Sequence, residues 1–412
     1  MKIFKFGGAS VKDAESVKNV AKVLNSQGFE KCLLVVSAMG KTTNALEKVV
    51  EYYFKKEDYQ NEVEKIKQSH LEITKGLFAE NHKIFGEVAL FFDDLEAFLR
   101  RNKSPNYNFV YDQVVSCGEM ISSKILSEYL NDINFSNAWL DARDYIKTDD
   151  TYREGVVNWQ ETEKNISGLD QSQSYVTQGF IGSEANNFTV TLGREGSDYS
   201  AAIFAYCLNA EAMTIWKDVP GVMTGDPRKF ENVTLLSNIS YEEAIEMAYY
   251  GASVIHPKTL QPLKQKHIPF YVKSFVEPEK PGTKVGNSDV NQSEESYILK
   301  ENQVLMNIST RDFSFIAEDH ISQIFNLLAK HKIKVSMMQN SAISLALCLE
   351  DKFGKIDEVN QTLTQQFSTD VVKNVSLYTV RNANMDELST FYADKKILLE
   401  QISKNTVQIV TQ

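Results

Sequence analysis

The sequence predicts an α/β protein with a smaller α+β region at its C-terminal end. Strand-like apolar runs alternate with helical patterns, from residues 2–6 through 32–36 to 270–272, the order that sheets covered by helices produce. A polar stretch at 286–295, GNSDVNQSEE, interrupts the pattern. Beyond it the periodicity restarts as strand, helix, strand, strand, helix, with a second, shorter pass, which is the order of a ferredoxin-like module.

Residues 2–10, KIFKFGGAS, open the chain as a strand in which Ile3, Phe4 and Phe6 alternate with Lys2 and Lys5. Gly7 and Gly8 let backbone N–H groups approach a phosphate, and Ser10 adds a hydroxyl. Ser16, Val17, Val20, Ala21, Val23 and Leu24 then recur at helical spacing, so the turn aims a helix start and a lysine at one point. A plain tight turn is the alternative. Residues 37–44, SAMGKTTN, follow a second strand and open a helix, either to contact a substrate or only to cap that helix. From 57 to 103 the pattern turns helical and charged, with Val63, Ile66, His70, Ile73 and Leu77 on one stripe, followed by Val88, Phe91, Phe92, Leu95, Phe98 and Leu99. This reads as a helical insertion that frames a site or forms a structural bundle.

In SCGE, residues 116–119, a carboxylate is expected in the first turn of a helix over 120–130, a place the helix dipole favours with or without function. TLGREGSDYSAA, 191–202, brackets Arg194 with glycines before Ser197 and Asp198 open a helix. Capping explains those two residues but neither the arginine nor the glycines, and a guanidinium fork suits a carboxylate. IWKDVPGVMTGDPR, 215–228, reads as successive turns, with a simple hairpin as the bland alternative. After the polar stretch nothing supplies a glycine-rich cation cluster, so that region is assigned to binding or regulation.

The 412 residues exceed one ordinary core and imply two or three domains. With 42% hydrophobic and 24% charged residues the composition is globular. No apolar run has membrane-span length and no signal peptide is evident, so a cytoplasmic protein is expected, without a membrane partner. Cys32, Cys117, Cys207 and Cys348 form no CxxC pair, which argues against a disulfide framework or a zinc site. A net charge of −11 argues against nucleic acid as a partner. If the chain handles small anions it must concentrate its cations, and Lys5, Arg194, Lys217 and Arg228 lie in suitable turns. No GxxxxGK[ST] occurs, which excludes a Walker-type site.

KFGGAS, SCGE, GFIG at 179–182, LGREGSD, KDVPGV with GDPR, and GASVIHPKTL at 251–260 stand in the order seen in aspartate kinases. The chain resembles a monofunctional aspartokinase of the amino-acid kinase family over nearly its whole length. The resemblance implies a three-layer αβα catalytic domain over 1–285 with the insertion at 57–103, a linker at 286–302, and paired ACT-type modules over 303–412, the second shortened. It also implies ATP with Mg²⁺ and L-aspartate as substrates, 4-phospho-L-aspartate as product at the head of lysine, threonine and methionine synthesis, and a homodimer through the ACT region. Under it, Lys5, Arg194 and Asp198 are catalytic, with Lys5, Gly7, Gly8 and Ser10 at the phosphates. Arg194 grips the aspartate α-carboxylate, Glu119 its ammonium, and Thr43, Phe180 and Ser197 line the pocket. Lys217, Asp218, Met223 and Arg228 meet the nucleotide. A kinase with another carboxylate acceptor, or an amino-acid sensor without activity, would share much of this pattern.

Three departures stand out. Ser253 replaces a lysine common in the family, and Lys258 or a water is expected to substitute; the ATP KM of Lys258→Ala tests the first option, which an unchanged value would exclude. Glu195 stands where many members have glycine. In the ACT-like region, where lysine-sensitive members have a glycine-containing loop and then an aspartate, this chain has residues 317–320, AEDH, and Ser336. A lysine effector would lose an ionic partner worth about 1–3 kcal/mol, so weak or absent lysine inhibition is expected.

Overall fold

The computed structural model describes residues 1–27, 31–252, 254–287, 294–383 and 395–412. They form two compact units, one of Met1–Val222, Leu235–Ile245 and Val254–Val290, the other of Met223–Thr234, Glu246–Ser253 and Asn291–Gln412.

The first unit runs β1 (Lys2–Phe6), a 3-10 turn (Gly8–Val11), α1 (Ala14–Gln27), β2 (Cys32–Val36), α2 (Thr42–Lys55), α3 (Gln60–Lys75), α4 (Ile84–Arg101), α5 (Tyr107–Asp132), β3 (Ala138–Leu140), α6 (Ala142–Tyr145), α7 (Trp159–Ser167), β4 (Tyr175–Gln178), β5 (Ile181–Ser183), β6 (Thr189–Thr191), α8 (Gly196–Cys207), β7 (Ala212–Lys217), β8 (Asn238–Ser240), the start of α9 (Tyr241–Tyr250), α10 (Pro257–Gln265), β9 (Phe270–Ser274) and β10 (Thr283–Gly286). Eight strands form one sheet in the order β3-β4-β2-β1-β7-β9-β10-β8. β2, β1, β7 and β9 are parallel neighbours. Strand β2 reads CLLVV and is buried throughout, as a strand covered on both faces must be.

Side-chain alternation builds the layers. Phe4, Phe6, Leu34, Val36 and Trp216 share one core with the apolar faces of α1 to α5. Ile3, Leu33, Val35, Met213 and Ile215 are also buried and point to the opposite face, where α8 packs on β1, β2 and β7. The chain leaves β1 for β2 on one side and later returns to β7 on the other. Beside β1, therefore, the strand order reverses, and ligands of open α/β sheets bind beyond the carboxyl ends of strands at such a reversal.

Helices α3 and α4 fall within 57–103, and their buried stripes join the α2 and α5 core. Glu119 corrects an expectation: it lies in the middle of α5, not in a first turn. The helix starts at Tyr107, more than three turns before residue 120, because Asn106 caps it, its side-chain oxygen accepting from Asn108 N at 3.0 Å and Phe109 N at 3.3 Å. All four cysteines are buried thiols. Among the described residues no helix is long and apolar enough to cross a membrane.

The second unit contains β11 (Ser296–Thr310), α11 (Glu318–Lys330), β12 (Lys334–Asn340), β13 (Ser344–Glu350), α12 (Ile356–Leu363), β14 (Phe367–Arg381), β15 (Ile397–Ser403) and β16 (Thr406–Thr411). Its antiparallel sheet has the order β12-β13-β11-β14-β16-β15. The long strands β11 and β14 pair from Ser296↔Arg381 to Thr310↔Phe367, so one strand pair serves both ferredoxin-like passes. β11 thus begins inside 286–302, and only the earlier part of that span is left for a linker. The segment 385–392 of the second, shorter pass lies outside the described residues.

Candidate active site

Lys5 sits near the carboxyl end of β1, 7% exposed, with Nζ 2.7 Å from Asp198 Oδ1. Lys217 ends β7 on the same face, since Ile3 and Lys5 register with Met213 and Ile215. Its Nζ lies 3.5 Å from Asp198 Oδ2 and donates to the Val254 carbonyl at 2.6 Å. Asp198 is in the first turn of α8, the helix packed on that face. Burial alone would raise its carboxyl, but the two ammonium groups win and hold it below the usual carboxylate range. Glu195, just before α8, faces the same cluster; burial and then Asp198 push its carboxyl up.

The first glycine loop lies against the loop that follows β2. A Cβ on Gly8 would meet the Ala38 carbonyl oxygen at 2.7 Å, so only glycine permits this approach. Gly40 N donates to Gly8 O at 3.0 Å and Ser10 N to Gly7 O at 2.9 Å. The Ser10 hydroxyl is buried without a hydrogen-bond partner among the described residues.

Glu119 approaches from α5. It is 3% exposed, Ala38 N donates to its Oε1 at 3.4 Å, and Oε2 is buried without a hydrogen-bond partner among the described residues. Burial pushes its carboxyl up to about 8, against a smaller opposing pull from Lys5. Phe180 holds a left-handed backbone, φ 72°; its N–H donates to Ser200 Oγ at 2.9 Å and its carbonyl accepts from Leu192 N at 2.8 Å. A Cβ on Gly179 would lie 2.5 Å from Ser197 Cβ, which ties the GFIG segment to the start of α8. Arg194 is exposed and forms no ion pair among the described residues. Thr43 is half-buried at the start of α2, whereas the neighbouring Thr42 hydroxyl donates to Met39 O at 2.6 Å.

Lys5, Asp198 and Lys217 therefore meet directly, with Glu195 within electrostatic reach, and Ala38 links the glycine loop to Glu119. Asp218 and Lys258 are exposed, the latter in the first turn of α10. Met223 and Arg228 belong to the second unit, where Arg228 pairs with Asp226 at 2.7 Å. Ser253 lies outside the described residues. Ala38 and Ser200 escape a reading of sequence alone: one acts through its backbone, and the other is an ordinary helical serine four residues beyond Gly196.

Residues 1–274 match the amino acid kinase family. The chain is 31% identical over 375 residues to lysine-sensitive aspartokinase 3 of Escherichia coli, a match covering 88% of this chain and 81% of that one. It is 29% identical over 397 residues to the chloroplastic bifunctional aspartokinase/homoserine dehydrogenase 2 of Arabidopsis thaliana, covering 89% of this chain and 42% of that longer protein. Among solved structures, E. coli aspartokinase III with lysine and aspartate superposes with a TM-score of 0.83 at 26% identity, covering 100% of this chain and 95% of the other. The same enzyme with aspartate and ADP gives 0.82 at 26% identity, covering 100% and 96%. The fold, the cluster at the strand reversal and these likenesses agree: the chain belongs to the amino acid kinase family, among its aspartokinases.

Proposed function

We propose that the chain transfers the γ-phosphoryl group of ATP to the β-carboxylate of L-aspartate, giving 4-phospho-L-aspartate and ADP. The observation that carries this reading is the buried Lys5–Asp198–Lys217 cluster at the carboxyl ends of β1 and β7, flanked by the unpartnered Glu119 Oε2. The E. coli relative has been solved with aspartate and ADP, the ligands these groups suit.

A carboxylate nucleophile is already ionised near neutrality, so the protein needs no strong base. Its task is positioning and neutralising charge. Lys5, with the amides around Gly7 and Gly8 and the Ser10 hydroxyl, holds the phosphates and meets charge developing on the transferred group. Asp198 fixes the Lys5 and Lys217 ammonium groups. Arg194 takes the aspartate α-carboxylate, Glu119 its ammonium, and Thr43, Phe180 and Ser197 shape the pocket. Asp218, Met223, Arg228, Ser253 and Lys258 are assigned to the nucleotide on the family pattern alone. Among the described residues no group of three acidic, His or Cys side chains is placed to enclose an ion. Mg²⁺ would enter with ATP, and phosphate oxygens and water would supply most of its ligands, as this ion tolerates.

The division into a catalytic region over 1–285 and an ACT-type region over 303–412 that dimerises belongs to the same proposal, as does a cytoplasmic setting. Ser336 Oγ donates to Gln303 Oε1 at 3.1 Å, and Lys300 Nζ stands 3.5 Å from that hydroxyl. Ser336 itself brings no carboxylate to an effector ammonium here. Lysine is therefore expected to inhibit weakly or not at all, and a low-micromolar inhibition constant in a steady-state assay would overturn that.

A hydroxylamine trap with Mg-ATP tests the activity itself, because only an acyl phosphate yields the hydroxamate. Signal with L-aspartate and not with glutamate or N-acetylglutamate is the expected result. Signal with another acceptor would change the substrate, and silence with all three would leave an amino-acid sensor.

A further inference from the structure

Glu195 joins the cluster from a backbone conformation that glycine adopts more easily. Its φ is 54° in the left-handed region, at the N-cap of α8, where a side chain carries a steric cost. Capping does not explain the residue. Its side chain makes no cap hydrogen bond, while its backbone carbonyl accepts from Tyr199 N at 3.0 Å, as any residue's would. The side chain is instead half-buried beside the charged groups, three residues before Asp198 at the start of the same helix and within electrostatic reach of Lys217 of β7 and Lys5 of β1. A costly conformation held at a charged site points to a role at that site.

We propose that Glu195 is a built-in competitor for the phosphates of the nucleotide. With both carboxylates ionised the two lysines are fully balanced, and an arriving polyphosphate finds no net positive charge. Binding then requires the Glu195 carboxyl to take up a proton or to swing away. Asp198 alone leaves the pair of lysines one positive charge in excess, the arrangement that favours an anion. Burial and Asp198 both disfavour an ionised Glu195, which makes proton uptake the easier route. The inference rests on the phosphotransfer reading above, since it needs a polyphosphate in the site.

The test is calorimetric binding of Mg-ADP and of a non-hydrolysable Mg-ATP analogue from pH 6 to pH 9, in buffers of different ionisation enthalpy, without aspartate. Glu195→Gln removes the charge and keeps the left-handed side chain, whereas Glu195→Gly also relaxes the backbone. Both variants are expected to bind nucleotide about tenfold tighter than the parent at the alkaline end, the size of one like-charge interaction. The advantage should fade at the acidic end, and the parent alone should take up a proton on binding. Equal or weaker binding by both variants across the range, with proton uptake unchanged, would overturn the proposal and leave the kinase reading standing. Nucleotide bound by none of the three proteins would overturn both.

Discussion

Lys5→Ala should lower the rate of aspartyl hydroxamate formation about 10³-fold, the scale seen when a preorganised donor to developing charge is removed. The ammonium is the group closest to Asp198, at 2.7 Å, and sits at the end of β1 beneath the glycine loop, where a Cβ on Gly7 would come within 3.4 Å of Nζ. Lys217 cannot replace it, because it reaches Asp198 only at 3.5 Å and is committed to the Val254 carbonyl. The substitution also strands a buried carboxylate, and breaking such a pair typically costs about 3–5 kcal/mol. The folded fraction must therefore be measured by circular dichroism beside the rate. Because the lost interaction belongs to the transition state, the fall should appear in kcat more than in the aspartate KM. A folded variant that keeps kcat within a factor of ten would remove Lys5 from the chemistry.

Much of this site is legible in the sequence because short segments carry it. The β1 alternation, the wholly apolar β2 and the glycines around Arg194 each announce a local structure whose physics is local. What spacing cannot convey is that residues 5, 198 and 217 converge. That meeting depends on β1 and β7 being parallel neighbours and on α8 crossing the same face, which are properties of the sheet order. The start of α5 misleads for a different reason. Ser116, Cys117 and Gly118 look like a break, yet the helix is buried around this point and its true cap is Asn106, well before Ser116.

The two-unit division shows a related limit. Met223–Thr234 and Glu246–Ser253 are assigned to the second unit although the sequence around them continues the first, and no composition shift marks the crossings. The C-terminal passes are easier to read, because β13 and β16 are short apolar runs, the second buried throughout, and the helices between strands carry apolar stripes. Their fusion through β11 and β14 is hidden, since a bulge near Lys300–Val304 breaks the apolar alternation midway along β11.

Glu119→Gln should weaken aspartate binding about 10- to 100-fold while leaving the ATP KM near its parent value, because a hydrogen bond to a charged group is worth about 1.5–3 kcal/mol. The parent protein should show a pH signature that the variant lacks. Burial raises the Glu119 carboxyl to about 8, so near neutrality the unliganded residue is mostly protonated. An arriving α-ammonium favours the carboxylate, so aspartate binding should expel a proton, and affinity should fall as pH drops below about 8. Stability runs the opposite way. The folded value lies above the unfolded one, so the contribution of Glu119 is complete below the ordinary glutamate range and is lost as pH rises through about 8. The Tm of the unliganded parent should decline across that interval, aspartate should restore part of it, and Glu119→Gln should remove this component. An aspartate KM that stays unchanged in the variant, with the same pH profile as the parent, would take the ammonium away from Glu119 and leave its buried, unpartnered oxygen without an assigned ligand.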